Sequence, residues 1–299
     1  MNNPDHSTPS TASGREYVSG NKPVAANTGV SAAASSDPTP EYLIINGQRL
    51  EWRNWGTDST SALTLVLLHE GLGCVALWRD FPQQLAASTG CRVVAYSRAG
   101  YGQSDACDLP RPLDYMSREA TEVLPQVLDA AGIQRCVLIG HSDGATIAAI
   151  YSGSVEDHRV RGLVLMAPHF FTESVAVEEI ERAKTAFEQT DLKKRMAGYH
   201  RDPEVAFRGW NGAWLAPGFR DWNVTEVIDY LRVPVLAIQG VQDQYGTRAQ
   251  IDVIEERIYS PLETRLLDDC RHSPHLEQPE TTLNIVGEFI DRLDRIECG

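Results

Sequence analysis

Cys136-Val137-Leu138-Ile139-Gly140-His141-Ser142-Asp143-Gly144 is the stretch on which the reading of this 299-residue chain turns. Four apolar residues suit a strand buried on both faces. The run Ala145-Thr146-Ile147-Ala148-Ala149-Ile150 that follows is small, helix-compatible and able to pack closely on a sheet. Between them a glycine-flanked serine reads as a strand-to-helix elbow. Such a turn crowds backbone segments together and strains its central residue, so the flanking positions must lack a Cβ. Ser142 would then stand clear of the sheet with its hydroxyl exposed for nucleophilic attack.

The elbow sits within a longer rhythm. Short β-type runs occur at Tyr42-Ile45, Leu50-Trp55, Leu63-His69, Val93-Tyr96, Val137-Gly140, Leu163-Ala167, Val235-Gly240 and Thr264-Leu267. Helical spacing of apolar residues marks Trp78 to Ser88, Ser117 to Ala131, Gly144 to Ser152, Arg248 to Ile258 and Pro279 to Arg295. This alternation implies a parallel sheet with helices on both faces. The interval from Ala167 to Val233 is far longer than a crossover needs. Its first half carries the apolar stripe Val177, Ile180, Ala183, Ala186 and Phe187, and its second half carries Trp210, Trp214, Phe219 and Trp222. Residues 168–232 are therefore expected to form a small helical cap with an aromatic underside, inserted into a core of residues 41–167 and 233–299.

Residues 1–40 are rich in Ser, Ala, Thr, Asn, Gly and Pro, and are expected to be a disordered N-terminal tail, because they bury too little apolar surface to offset ordering entropy. They hold no apolar run of the kind a secretory signal needs, and no later run is long enough to span a bilayer. A net charge of -14 disfavours nucleic acid and anionic membrane surfaces as partners, and leaves a small-molecule substrate. The six cysteines, Cys74, Cys91, Cys107, Cys136, Cys270 and Cys298, show no metal-ligand spacing and read as reduced thiols, which points to a cytoplasmic protein without a metal. Composition says nothing about oligomeric state.

From about Tyr42 to Cys298 the chain resembles the α/β-hydrolase superfamily, through five motifs in order. His69-Glu70-Gly71-Leu72-Gly73 resembles the family's His-Gly oxyanion loop, and Ser97-Arg98-Ala99-Gly100-Tyr101-Gly102-Gln103-Ser104-Asp105 its R-x-G-x-G-x-S turn. The elbow, Gly240-Val241-Gln242-Asp243 and Arg271-His272-Ser273-Pro274-His275 follow. Each lies just past the carboxyl end of a predicted strand, where open α/β sheets place their sites. The resemblance implies an eight-stranded, mostly parallel α/β sheet with a small helical cap, and no cofactor.

The resemblance also implies a Ser-His-Asp triad. A serine hydroxyl needs a base during attack, and imidazole has a suitable pKa. His272 fits the family's place for that base, with His275 its nearest rival. Asp243 would orient the imidazole, ahead of Asp268 and Asp269, which are too near His272 in sequence to arrive from another strand end; its alternative role is to cap the helix after Thr247. The oxyanion amides would be those of Asp143 and Gly71, with Leu72 in place of Gly71 if the loop register differs by one. Glu70 departs from the family, which usually has glycine there. Pointed inward, it would oppose developing negative charge, so it is expected to face outward or to be hydrogen-bonded. Asp143 suits the first turn of a helix. Trp78, His169, Phe170, Trp210 and Trp214 are the expected substrate-binding residues, with Phe171 beside them.

The expected activity is hydrolysis of a carboxylic ester, lactone or thioester of a small neutral molecule through an acyl-serine. The runner-up is a carbon-carbon bond hydrolase acting on vinylogous diketones from aromatic ring cleavage. A ligand-binding receptor with the same fold is the third reading, since fold alone does not specify chemistry.

Overall fold

The structure, a computed structural model, describes residues 41–56 and 63–298; the expected tail at residues 1–40 lies outside the described residues. Eight strands form one sheet: β1 (Glu41–Ile45), β2 (Gln48–Trp55), β3 (Thr64–Leu68), β4 (Arg92–Tyr96), β5 (Cys136–His141), β6 (Val160–Met166), β7 (Val235–Gly240) and β8 (Leu262–Leu267). They run in the spatial order β1-β2-β4-β3-β5-β6-β7-β8. β1 pairs antiparallel with β2, and β2 antiparallel with β4. All later pairs are parallel, with Leu67 opposite Ile139 and Ile139 opposite Val164 at the centre.

β3 and β5 are buried along their whole length, as strands covered on both faces must be. Apolar residues on the two faces form two cores. Val66, Leu138 and Leu165 share one with Ile147 and Tyr151, while Leu67, Ile139 and Val164 share the other with Leu85 and Phe289.

The helices are α1 (Phe81–Thr89), α2 (Tyr115–Arg118), α3 (Leu124–Ala130), α4 (Asp143–Ser154), α5 (Ser174–Gln189), α6 (Leu192–Met196), α7 (Pro203–Trp214), α8 (Ala249–Arg257), α9 (Pro274–Glu277) and α10 (Pro279–Cys298). The helix expected from Ser117 to Ala131 starts earlier, at Tyr115, and is broken by a π turn over Glu119–Val123. Pro125, in the first turn of α3, has no N–H to donate, and the wider ring accommodates it. The helix expected from Trp78 divides into a 3₁₀ turn, Val75–Trp78, and α1, with Arg79 between them at φ 52°.

Between β6 and β7 lie α5, α6, α7 and two 3₁₀ turns, Pro217–Asp221 and Thr225–Tyr230. Rings hold this segment together: Phe187 stacks on Phe207 at 4.0 Å, and Phe219 on Trp222 at 5.0 Å. Among the described residues no helix is long and apolar enough to cross a membrane.

Candidate active site

The elbow adopts the conformation that its glycines permit. Ser142 has φ 53° and ψ -119°, a region costly for a side chain and kept only where surrounding structure enforces it. A Cβ on Gly140 would lie 2.3 Å from the carbonyl oxygen of Gly144, and one on Gly144 would lie 1.9 Å from that of Leu68. The Ser142 amide donates to the Met166 carbonyl at 2.9 Å, and the Ser142 carbonyl accepts from the amides of Ala145 and Thr146. Neither flank can carry a side chain, so β5 and α4 press together and hold the serine at the edge of a cavity of about 180 Å³.

Ser142 and His272 line this cavity together with Glu70, Gly71, Trp210 and Trp214. Asp243 sits behind His272. His272 Nδ1 lies 2.9 Å and 3.0 Å from the two carboxylate oxygens of Asp243, an arrangement that leaves Nε2 for other work. The same carboxylate accepts from the amides of Tyr245 at 2.8 Å and Gly246 at 3.3 Å, and from Gln239 Nε2 at 3.3 Å. Burial opposes its charge, but the His272 imidazole and these donors prevail, so Asp243 titrates below the usual carboxylate range. Asp243 does not cap the helix beyond Thr247. Glu173, at the start of α5, takes that place by accepting from the amide and hydroxyl of Thr247.

The loop bearing His272 is held from both sides. Glu277 accepts from the amides of Arg271 at 2.8 Å and Ser273 at 2.9 Å, and His141 Nε2 lies 2.8 Å from the His272 carbonyl oxygen. His275 is buried against Trp78 and Phe81, at ring distances of 4.8 and 5.6 Å, and burial pulls its pKa down to about 3. It is a neutral packing imidazole, and of the two rivals it is His272 that the structure joins to Asp243.

Across the cavity, the loop after β3 is braced by a buried cation. The Arg98 guanidinium donates to the carbonyls of His69 at 2.5 Å and Glu70 at 2.9 Å. The Arg98 amide donates to His69 Nε2, so the proton of that ring sits on Nδ1 and is donated to the Glu70 carbonyl at 2.7 Å. Burial and the Arg98 charge hold His69 well below the ordinary imidazole pKa, hence neutral. The buried Glu51 carboxylate of β2 reaches the turn after β4, where it accepts from Ser97 Oγ at 2.6 Å and the Gln103 amide at 3.0 Å. The motif resembling R-x-G-x-G-x-S is therefore structural, and its arginine fixes the loop that carries Gly71.

Gly71 lies directly under an indole: a Cβ there would meet Trp210 Cδ1 at 2.2 Å. The Asp143 amide opens α4 and so has no acceptor within the helix. The Asp143 side chain points away from the cavity, where it accepts from Tyr115 Oη at 2.5 Å while Trp214 Nε1 donates to Tyr115 Oη at 3.1 Å. Burial raises its pKa. Asp143 stands in the first turn of α4 as expected, and there its carboxylate is buried against Tyr115.

Glu70 faces the cavity wall with its side chain 29% exposed, its Oε2 3.6 Å from His141 Nδ1. Burial opposes the charge, yet the His141 imidazole beside it outweighs that burial and holds the carboxyl well below its usual range. Of the expected substrate-binding residues, His169, Trp210 and Trp214 line the cavity. Trp78 and Phe170 do not. Trp78 is sealed behind His275, and Phe170 is fully buried in the core with its amide donating to Gln250 Oε1. Leu72, Ala176, Ile180, Gln244 and Tyr245 also form the wall. Tyr245 was within reach of sequence reading, two residues past Asp243; Ala176 and Ile180 carry no mark beyond the apolar stripe of α5. Cys74 and Cys270 are buried, their thiols pushed up to about 12 and about 11 by that burial. Among the described residues no group of three or more His, Cys, Asp or Glu could hold a metal ion.

Comparison with known proteins supplies the family context. The sequence model of the alpha/beta hydrolase family matches residues 65–285. The chain is similar to a proline iminopeptidase of Lactobacillus helveticus, 22% identical over 268 residues, covering 77% of this chain and 90% of that protein. It is also similar to epoxide hydrolase 3 of Xenopus tropicalis, 23% identical over 268 residues, covering 76% of this chain and 71% of that protein. Among solved structures, the enol-lactonase of Burkholderia xenovorans LB400 superposes with a TM-score of 0.65 at 20% identity, over 84% of this chain and all of that one.

Proposed function

The chain belongs to the alpha/beta hydrolase family, and from that premise we propose that it hydrolyses a carboxylic ester, lactone or thioester of a small neutral molecule through an acyl-serine. Ser142 is the nucleophile. His272 takes its proton during attack and returns it to the leaving group, and Asp243 fixes the tautomer and stabilises the imidazolium. The amides of Gly71 and Asp143 receive the developing oxyanion. Water then repeats the sequence on the acyl-enzyme and releases the carboxylic acid. The observation that carries this reading is the Asp243–His272 hydrogen bond at 2.9 Å, on a cavity that Ser142 also lines with φ 53°.

Three further features support it. A cavity of about 180 Å³ is below the roughly 300–1,000 Å³ of drug-sized sites, which fits a small substrate. Ala176, Ile180, Trp210 and Trp214 give it an apolar side suited to a neutral acyl group. A serine nucleophile also separates this chain from epoxide chemistry, because opening an epoxide or displacing a halide would leave an ether that water does not readily cleave. We also propose a cytoplasmic location, because the spacing of the six cysteines in the sequence suits reduced thiols.

The test is p-nitrophenol release from short-chain p-nitrophenyl esters by the wild type and Ser142→Ala, followed through the pre-steady state. A burst in the wild type, with steady-state turnover about 10³-fold lower or less in the variant, is the expected result. A folded wild type that turns over no ester, but bleaches a coloured ring-cleavage diketone, would replace this reading with carbon-carbon bond hydrolysis.

A further inference from the structure

Two side chains on the cavity wall, Glu70 and His141, have no part in the chemistry above, and they face each other. His141 is buried, and its Nε2 lies 2.8 Å from the His272 carbonyl oxygen. A carbonyl can only accept, so Nε2 carries a hydrogen. Its Nδ1 is buried without a hydrogen-bond partner and stands 3.6 Å from Glu70 Oε2. A neutral ring protonated on Nε2 would therefore turn a lone pair toward a carboxylate, two acceptors with no hydrogen between them. A proton on Nδ1 removes that conflict.

The surroundings concentrate the question on this pair. Facing it are His69 and Arg98 from the ends of β3 and β4, Cys74 before the first 3₁₀ turn, His169 after β6, His200 from the β6–β7 segment, His272 after β8, and His275 in α9. Arg98 is engaged with the carbonyls of His69 and Glu70. Burial keeps His69, His169, His200 and His275 below the ordinary imidazole pKa, and His272 is committed to Asp243. Among the described residues, His141 is the side chain within ion-pair distance of the Glu70 carboxylate.

We propose that Glu70 and His141 form an ion pair that retains one proton behind the elbow and cancels the carboxylate's charge beside the oxyanion amides. The inference rests on the acyl-serine reading. It makes both side chains positioning residues: His141 holds the backbone of His272, and its charge lets a glutamate occupy a loop that must receive negative charge at the adjacent Gly71. If the pair loses its proton, the bare carboxylate lies one residue from an oxyanion donor, with the His141 ring between it and His272. The net cost falls on the transition state.

Two experiments test it. The first is the side-chain ¹⁵N NMR spectrum of the histidines at pH 7, with His141 assigned by its absence in His141→Gln. An imidazolium pattern for His141, lost in Glu70→Gln, is expected; a neutral pattern in the wild type overturns the proposal whether or not any ester is turned over. The second is kcat on a neutral p-nitrophenyl ester. Glutamine keeps an amide to donate to the His272 carbonyl but cannot hold the charge, so His141→Gln should lower kcat about tenfold or more, and the double variant Glu70→Gln/His141→Gln should recover most of that loss. A double variant no faster than His141→Gln would mean that His141 serves packing alone and would overturn the proposal. Ser142→Ala keeps the two readings apart, because its burst depends on the acyl-serine and not on the pair.

Discussion

The cavity has a floor and a cover, and they are built by different balances of forces. Directional bonds fix the floor: Arg98 on two carbonyls, Asp243 on His272, Glu277 on two amides. Shape and ring contact dominate the cover, where Ala176 and Ile180 on α5 and Trp210 and Trp214 on α7 are seated by the Phe187–Phe207 and Phe219–Trp222 stacks, with the Trp214–Tyr115 and Asn211–Ile180 hydrogen bonds beside them. Hydrogen bonds place atoms within tenths of an ångström, as proton transfer requires. Apolar packing is non-directional and sets volume. Under the proposed function, chemistry and selectivity can therefore change separately in this molecule.

That separation can be broken at the floor first. Asp243→Asn keeps the side-chain shape but favours the wrong tautomer of His272, so kcat/KM should fall about 10⁴-fold with KM little changed. Ester kinetics at saturating and limiting substrate check it, and a loss confined to KM would show that Asp243 does not act through the base. Where Gly71 meets the cover without clearance, Gly71→Ala drives a Cβ into Trp210. Activity should drop by about 10²–10³, the range for a lost oxyanion donor. Pairing it with Trp210→Ala should restore part of kcat; no restoration would place the damage within the loop itself.

The smallest effect concerns stability and is confined to the floor. His169 and His275 titrate near 3 in the folded protein because burial disfavours the imidazolium, against an ordinary value of 6.5. The unfolded chain takes up a proton near 6.5 and the folded one does not, so their contribution is full above that pH and is lost as pH falls from about 6.5 toward 3. The slope is about 1.4 kcal/mol per pH unit for each ring. Urea midpoints at pH 7 and pH 5 measure it, and His275→Phe, which suits the Trp78 and Phe81 surroundings, should reduce the slope by one ring's share. An unchanged slope would mean that His275 is charged in the fold.

The same division explains what sequence could reveal. The central strands and the elbow were legible because buried parallel strands write themselves as apolar runs, and because Gly140 and Gly144 answer to contacts with neighbouring backbone. Ser142, Asp243 and His272 stood out as polar residues just past strand ends, where order along the chain maps onto place in the sheet. The cover was only half legible. Its wall residues are apolar or aromatic like the core around them, so nothing distinguished Trp210, which lines the cavity, from Phe170, which does not. Glu70 was visible as a departure, but its partner His141 was not, because their meeting depends on the spacing of β3 and β5 and not on any local pattern.

Glu277 grips the amides on either side of His272 with its two carboxylate oxygens. Shifting the backbone that carries the imidazole would release both bonds at once, so the proposed base needs no backbone search between turnovers. The entropy of ordering it is met once, when the chain folds. In the proposed hydrolysis, reorganisation is then left to the substrate and its water.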